Sequence, residues 1–276
     1  RREPAAHTRW STHIYSGRLR TESRFRDEQN RPGSRRGQGT AYLEQWTEMT
    51  TQSVFLDPPP DFHGLDPDLP IRFYHRHLPH WRQEGATYFA TFRLADSIPR
   101  EKLSAIKRWR KIWQRANAES PSQQAWEQLA CQITRKCELW LNEGHGASVF
   151  SDRELATEMS KSLLHFQNER CFTSCFVVMP NHVHVVMKPL PGFELEDVLA
   201  SVKRFVGNTV NSQRNRSGKL WEEESYDQIV RDEEHLFKIV QYIGRNPGRA
   251  GIPREQWFRW MHPDWERAGW RFRDET

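Results

Sequence analysis

The stretch Phe176-Val-Val-Met-Pro-Asn-His-Val-His-Val-Val-Met187 constrains the chain more than any other. Two apolar runs, rich in β-branched residues and short enough for buried strands, flank Met179-Pro180-Asn181. Proline cannot donate to a ladder and asparagine tolerates turn geometry, so this tripeptide breaks one strand from the next. His182 and His184 then open the second strand. Side chains alternate across a strand, so both imidazoles share one face while Val183 and Val185 take the other. Two imidazoles so placed are half of a metal site, or a hydrogen-bonded pair beside a turn. For a bare His-x-His the second reading stands first; the sequence downstream reverses that order.

The 276 residues suffice for one large or two small domains with a packed core. Charged residues make up 28% and hydrophobic ones 36%, so part of the length is expected to lie outside that core. A formal net charge of +5 suits a polyanionic partner, nucleic acid first. The 12 Trp and 15 Phe read mainly as core, but interleaved with Arg they also suit single-stranded nucleic acid. Cys131, Cys137, Cys171 and Cys175 include no Cys-x-x-Cys. Cys171 and Cys175 are expected on one strand face, as packing residues. Nothing reads as a disulfide framework, which fits a reducing cytoplasm. No apolar run approaches the ~18 residues of a membrane span, and the N-terminus lacks the apolar core of a signal peptide. The expected location is cytoplasmic and nucleoid-associated, with no membrane partner.

Residues 1–70 are dominated by Arg, Ser, Gly and Pro and lack apolar periodicity, as in Asn30-Arg-Pro-Gly-Ser-Arg-Arg-Gly-Gln-Gly39. They are expected to be a disordered basic leader, because such a segment cannot bury enough to offset its ordering entropy. Gly85 to Leu94 alternates like a strand. A helix from Pro99 should carry Leu103, Ile106, Trp109, Ile112 and Trp113 inward and Lys102, Lys107, Arg108, Arg110 and Lys111 outward. A second helix spans about 122–141, and a third starts at Ser151-Asp152 and runs to about 168. Strands follow over 171–178 and 182–188. The next helix, about 195–213, should turn Val198, Leu199, Val202, Phe205 and Val206 inward and Lys203 and Arg204 outward. A short strand at 226–231 precedes a helix capped by Asp232, which Asn246-Pro247-Gly248 should stop. Residues beyond Ile252 are Trp-rich and read as irregular. From Thr87 the order is strand, helices, strand, strand, helix, strand, helix. That is an α+β class: a ferredoxin-like βαββαβ antiparallel sheet with helices on one face and an enlarged helical first crossover. Residues 71–252 form the expected domain and 253–276 a C-terminal tail.

Tyr242 and Asn246 are four apart on the last core helix and share a face if Asn246 lies within its final turn. Two imidazoles and an amide oxygen, with positions left open for phosphate oxygen, suit Mg2+ or Mn2+ better than a closed zinc site. The plainer reading makes Tyr242 amphipathic core and Asn246 a helix stop.

Pro180-Asn-His-Val-His184, Lys203-Arg-Phe205, Leu220-Trp221, Tyr226-Asp-Gln-Ile-Val-Arg-Asp-Glu-Glu234 and Tyr242-Ile-Gly-Arg-Asn-Pro247 together resemble the HUH single-tyrosine transposases, in particular the REP-associated tyrosine transposases. The segment Leu78 to Phe89 resembles their opening strand. The resemblance covers about 71–252, and the crossover at about 95–150 is longer than in compact members. It implies a metal-dependent transposase that cleaves and rejoins single-stranded DNA at hairpins. His182 and His184 would be metal ligands, Asn246 a third polar ligand, and Tyr242 the nucleophile that forms a 5′-phosphotyrosine. Tyr226 is the rival nucleophile, but it lies on a strand and lacks a polar partner four residues on. Arg76, His80, Trp81, Arg82, Lys203, Arg204, Arg214 and Arg216 are candidate DNA-binding groups. Two other readings stand beside this one: a hairpin-binding protein derived from such a transposase without catalysis, and an unrelated zinc hydrolase. The latter would lack a His-Glu-x-x-His motif. A homodimer is left open.

Overall fold

The structure, a computed structural model, describes residues 57–75, 79–117 and 123–273. Expectations for residues 1–56, and for Arg76, fall outside the described residues. What is described is a mixed α+β arrangement around an antiparallel five-stranded sheet. A hairpin of β1 (Arg72–His75) and β2 (Pro79–Arg82) stands apart from it. The sheet is built from β3 (Tyr88–Arg93), β4 (Cys171–Val178), β5 (His182–Pro189), β6 (Tyr226–Ile229) and β7 (Phe258–Met261). Their order is β6-β3-β5-β4-β7. The helices are α1 (Arg100–Ala116), α2 (Gln123–Leu141), α3 (Arg153–Leu164), α4 (Leu195–Gln213), α5 (Glu233–Arg249) and the short α6 (Pro263–Arg267).

Every residue of β4 and β5 is buried, so both faces of the sheet centre need a cover. On one face Phe92, Phe176, Val183, Val185 and Met187 pack against Leu155 and Met159 of α3 and Val198, Val202 and Val206 of α4. On the other, Phe89, Cys175, Val177 and Val186 meet Leu236, Ile239, Val240 and Ile243 of α5, with Met261, Trp265 and Trp270 closing the end. Helices therefore cover both faces, not one as the sequence suggested. Burying each such side chain is worth about 1.5–3 kcal/mol.

The two faces also separate Cys171 from Cys175. Residues 171 and 175 would share a face in a regular strand, but the register of β4 against β5 slips between Thr173 and Cys175. The bulge turns Cys171 to the α3 side and Cys175 to the α5 side. All four cysteines are free thiols.

The chain beyond Ile252 is not irregular. β7 pairs with β4, and the rings of Phe258 and Trp260 stack on Phe176 at 6.2 and 5.5 Å. The indole N–H groups of Trp265 and Trp270 donate to the carbonyls of Pro60 and Asp57 at 2.9 and 3.1 Å. Those bonds draw residues 57–70, read from sequence as leader, onto the sheet. Leu65 N donates to Val230 O at 2.9 Å, and Gly64 lies so close that an added Cβ would stand 2.4 Å from Arg231 O.

Two apolar side chains expected inside are outside. Phe205 is 55% exposed, because α4 buries the stripe Leu195, Val198, Leu199, Val202, Val206 and Val210, which excludes position 205. Ile112 is 64% exposed, and α1 buries no residue fully; it leans on α2 through Trp113 and Trp126, 4.8 Å apart. Among the described residues no helix is long and apolar enough to cross a membrane.

Candidate metal centre and nucleophile

His182 and His184 stand on the α5 face of β5, opposite Arg93 and Thr91 of β3. They are 1% and 0% exposed. Burial pushes the imidazolium of His182 down to about 3 and that of His184 well below its ordinary value, so both rings are neutral at neutral pH. Neighbours orient each ring. His182 Nδ1 meets Asn181 Oδ1 at 2.7 Å, and an amide oxygen only accepts, so Nδ1 carries the proton and Nε2 a lone pair. His184 Nδ1 bonds Thr91 Oγ1 at 2.8 Å. The two Nε2 atoms then converge to 3.0 Å.

Helix α5 lies over this pair. Its N-terminus is capped by Asp232, whose carboxylate accepts from His235 N at 2.7 Å. Its helical geometry runs through Pro247 to Arg249 rather than stopping at Asn246. Proline in the last turn removes one bond near an end where few remain to lose. Asn246 is therefore still helical, and it faces the histidines together with Tyr242. The amide of Asn246 is 1% exposed, and its Nδ2 lies 3.0 Å from His184 Nε2. Its Oδ1 is buried without a hydrogen-bond partner among the described residues. The Tyr242 ring stands edge-on to His184 with centroids 5.2 Å apart.

A carboxylate completes the cluster. Tyr242 Oη donates to Glu138 Oε2 at 2.5 Å, and the same oxygen lies 3.6 Å from His184 Nε2. Glu138, His182 and His184 can each offer one ligand atom within 4.8 Å of one another. Burial pushes the Glu138 carboxyl up to about 7, although the Tyr242 bond pulls it down. Sequence reasoning missed Glu138. The signal was an acid beside the inner stripe of α2, which buries Ala130, Ile133 and Leu141. The tip of α2 is pinned here as well: Asn181 Nδ2 donates to the carbonyls of Leu141 and His145 at 3.1 and 3.4 Å.

The donor set fits a divalent cation. Two neutral imidazoles have Nε2 atoms converging, a buried amide oxygen beside them lacks a partner, and a carboxylate stands within reach. Tyr226, the rival nucleophile, lies on the same face of the sheet, across β3 from His184, but its hydroxyl is turned to its own strand. Its hydroxyl donates to Gln228 at 3.3 Å, and burial holds its phenol above the ordinary value.

Of the expected DNA-binding groups, His80, Arg82, Lys203 and Arg204 border one cleft and Arg214 and Arg216 another. His80 and Arg82 are 4% and 3% exposed and belong to a buried charge network. Arg82 reaches Asp227 at 2.5 Å and Glu196 at 2.6 Å; His80 reaches Asp227 at 2.8 Å and Glu224 at 3.2 Å. They lock the β1–β2 hairpin to β6 and α4 and have no hydrogens to spare for a phosphate. Trp81 is half-buried against Phe73, with centroids 5.1 Å apart. Lys203 is turned in: its Nζ donates to the carbonyls of Glu222 and Glu223 at 2.8 and 3.0 Å, and burial draws its pKa down to about 8. Arg204, Arg214 and Arg216 are exposed, with Arg214 paired to Asp152 at 2.6 Å. Arg204 borders a cleft of about 460 Å³ along α4, together with Asn208, Asn211, Lys219 and Trp221.

No protein-family model matches the chain, and no curated protein does. Among solved structures it is similar to a REP-associated tyrosine transposase bound to a REP hairpin, with 13% identity over 65% of this chain and 74% of that one and a TM-score of 0.37. So remote a likeness leaves the reading to the residues themselves.

Proposed function

We propose that the chain is a metal-dependent transposase, a strand transferase that cleaves and rejoins single-stranded DNA at hairpin-bearing sites through a 5′-phosphotyrosine. The observation that carries the reading is the Tyr242 hydroxyl on the same helix face as Asn246, above two neutral, oriented imidazoles. The order β6-β3-β5-β4 with antiparallel pairing supports a ferredoxin-like frame beneath it, to which β7 adds a fifth strand.

His182, His184 and the Asn246 amide oxygen would hold Mg2+ or Mn2+. Such a cation supplies charge stabilisation at a phosphate oxygen and fixes in-line geometry. The chain supplies the rest. Tyr242 Oη attacks the phosphorus, the bond to the 3′ oxygen breaks, and that oxygen leaves as a 3′-hydroxyl after taking a proton. The phenol proton is directed at Glu138, to which it already donates. A phenol, with a pKa of about 10, is also a good leaving group, so the reverse attack by a 3′-hydroxyl rejoins DNA without ATP. Exposed Arg204, Arg214 and Arg216 are the groups proposed to reach phosphates.

A second reading, hairpin binding without cleavage, uses the same surfaces. Incubation with a single-stranded hairpin library and Mn2+, followed by denaturing gel, separates the two. A covalent protein–DNA band carries the transposase reading; retention on DNA with no such band in any library member overturns it.

A further inference from the structure

We propose that Glu138, brought in by crossover helix α2, is an anionic fourth ligand of the cation held by His182, His184 and Asn246, and that its carboxylate links that cation to the Tyr242 hydroxyl. The inference rests on the metal reading above and adds to it a residue from outside the β5–α5 pair.

Spacing is the first argument. Ligand atoms about 2.1 Å from one cation and at right angles lie about 3 Å apart. His182 Nε2 and His184 Nε2 are separated by 3.0 Å, and His184 Nε2 and Glu138 Oε2 by 3.6 Å. Three atoms from two elements are thus already near the separations that a shared ion needs.

Charge is the second. Two neutral imidazoles and an amide leave a dication uncompensated in a shell where the histidines are at most 1% exposed. Burying an unpaired charge costs several kcal/mol, and one carboxylate offsets half of the dication's charge. The orphaned Oδ1 of Asn246 independently points to an occupant in the same place.

Placement is the third. Asn181 accepts from His182 Nδ1 with its oxygen and holds the end of α2 with its nitrogen. One side chain therefore sets the histidine's lone pair and the position of Glu138, one turn before Leu141. A plain structural role for Glu138 would be to accept the Tyr242 hydrogen bond, and the test must separate the two.

Mn2+ is titrated into the full chain by calorimetry, with hydrogen exchange of residues 133–141 followed with and without Mn2+. Glu138→Gln keeps the shape and still accepts from Tyr242, but loses the charge. It should weaken Mn2+ binding about 10–100-fold, and His184→Ala should weaken it at least as much. Tyr242→Phe should stay within about threefold of the parent. Mn2+ should slow exchange in α2 of the parent chain and not in Glu138→Gln. Parent-like affinity in Glu138→Gln, or no Mn2+-induced protection of α2 in the parent, overturns the proposal while leaving the histidine site standing. A parent chain that takes up no Mn2+ overturns both. The exchange measurement on the parent decides the question even if the glutamine variant does not fold.

Discussion

Asn181 and His182 are adjacent in the chain and bonded through their side chains at 2.7 Å, and this contact dictates which nitrogen of His182 faces Tyr242's helix. Replacing Asn181 by alanine frees the imidazole to choose its tautomer and releases the Leu141 and His145 carbonyls. The expected cost is about 2 kcal/mol, read as a lower midpoint in denaturant. Mn2+ affinity should fall about tenfold in the same variant. Unchanged affinity would show that the ring orientation does not depend on this bond.

His182→Ala and His184→Ala should each abolish cleavage while binding to hairpin DNA survives, because phosphate contacts at a distance supply most of the affinity. Gel shift and covalent-adduct formation are measured side by side on each variant. Cleavage at the parent rate would remove the histidines from the chemistry.

Tyr242→Phe removes one oxygen. For a hydroxyl facing solvent, folding would scarcely notice. This one meets Glu138 instead, so the variant should lose about 1–3 kcal/mol of stability as the buried carboxyl loses its donor. Cleavage and the covalent adduct should vanish. Tyr226→Phe, whose hydroxyl donates to Gln228, should keep both activities. Mass spectrometry of a trapped adduct locates the nucleotide, and attachment at Tyr226 or at a serine would reassign the nucleophile.

Two histidines outside the metal cluster, His80 and His235, should each add a limb to the pH dependence of stability, the acid one shared with buried His182 and His184. Burial works against charge on His80, but its hydrogen bonds to Asp227 and Glu224 outweigh burial and the Arg82 charge and raise it to about 9. A raised folded pKa gives stability that is complete below the unfolded value of about 6.5 and lost as pH climbs to 9. His235 is the reverse case. Burial, with the Arg231 and Lys238 charges against that of Asp232, lowers it to about 4, and its Nδ1 accepts from Arg231 N. Its contribution is present above pH 6.5 and fades as pH falls towards 4. Each limb is worth on the order of 3 kcal/mol. Thermal midpoints across pH 4–9 check both, and His80→Gln should flatten the alkaline limb alone.

Much of this arrangement was legible in the chain. Alternation in Phe176–Met187 placed β4, β5 and the shared face of His182 and His184, and the 3.6-residue period placed α4 to its ends. These are local regularities, and local regularities survive in sequence. What escaped depends on contacts between distant segments. The bulge that parts Cys171 from Cys175 adds one unpaired residue, with no glycine or proline to announce it. β7 has four residues and is a strand only because β4 offers it an edge. Arg82 and His80 read as surface cations, since their partners Asp227 and Glu196 lie more than a hundred residues away. Glu138 escaped for the same reason: it meets Tyr242 across 104 positions.

The interior place of β3, between β6 and β5, also sets an order of events during folding. Its partners in the sheet are β5, with Thr91 beside His184 some 93 residues on, and β6, with Thr91 opposite Tyr226. Neither neighbour can be reached by a short loop, and closing long loops before any contact rewards them slows folding. A growing chain therefore displays the hairpin of β4 and β5, with its paired imidazoles, before α5 has left the ribosome. During that interval the histidines have one helix fewer above them, and a metal ion could be captured by a half-built protein.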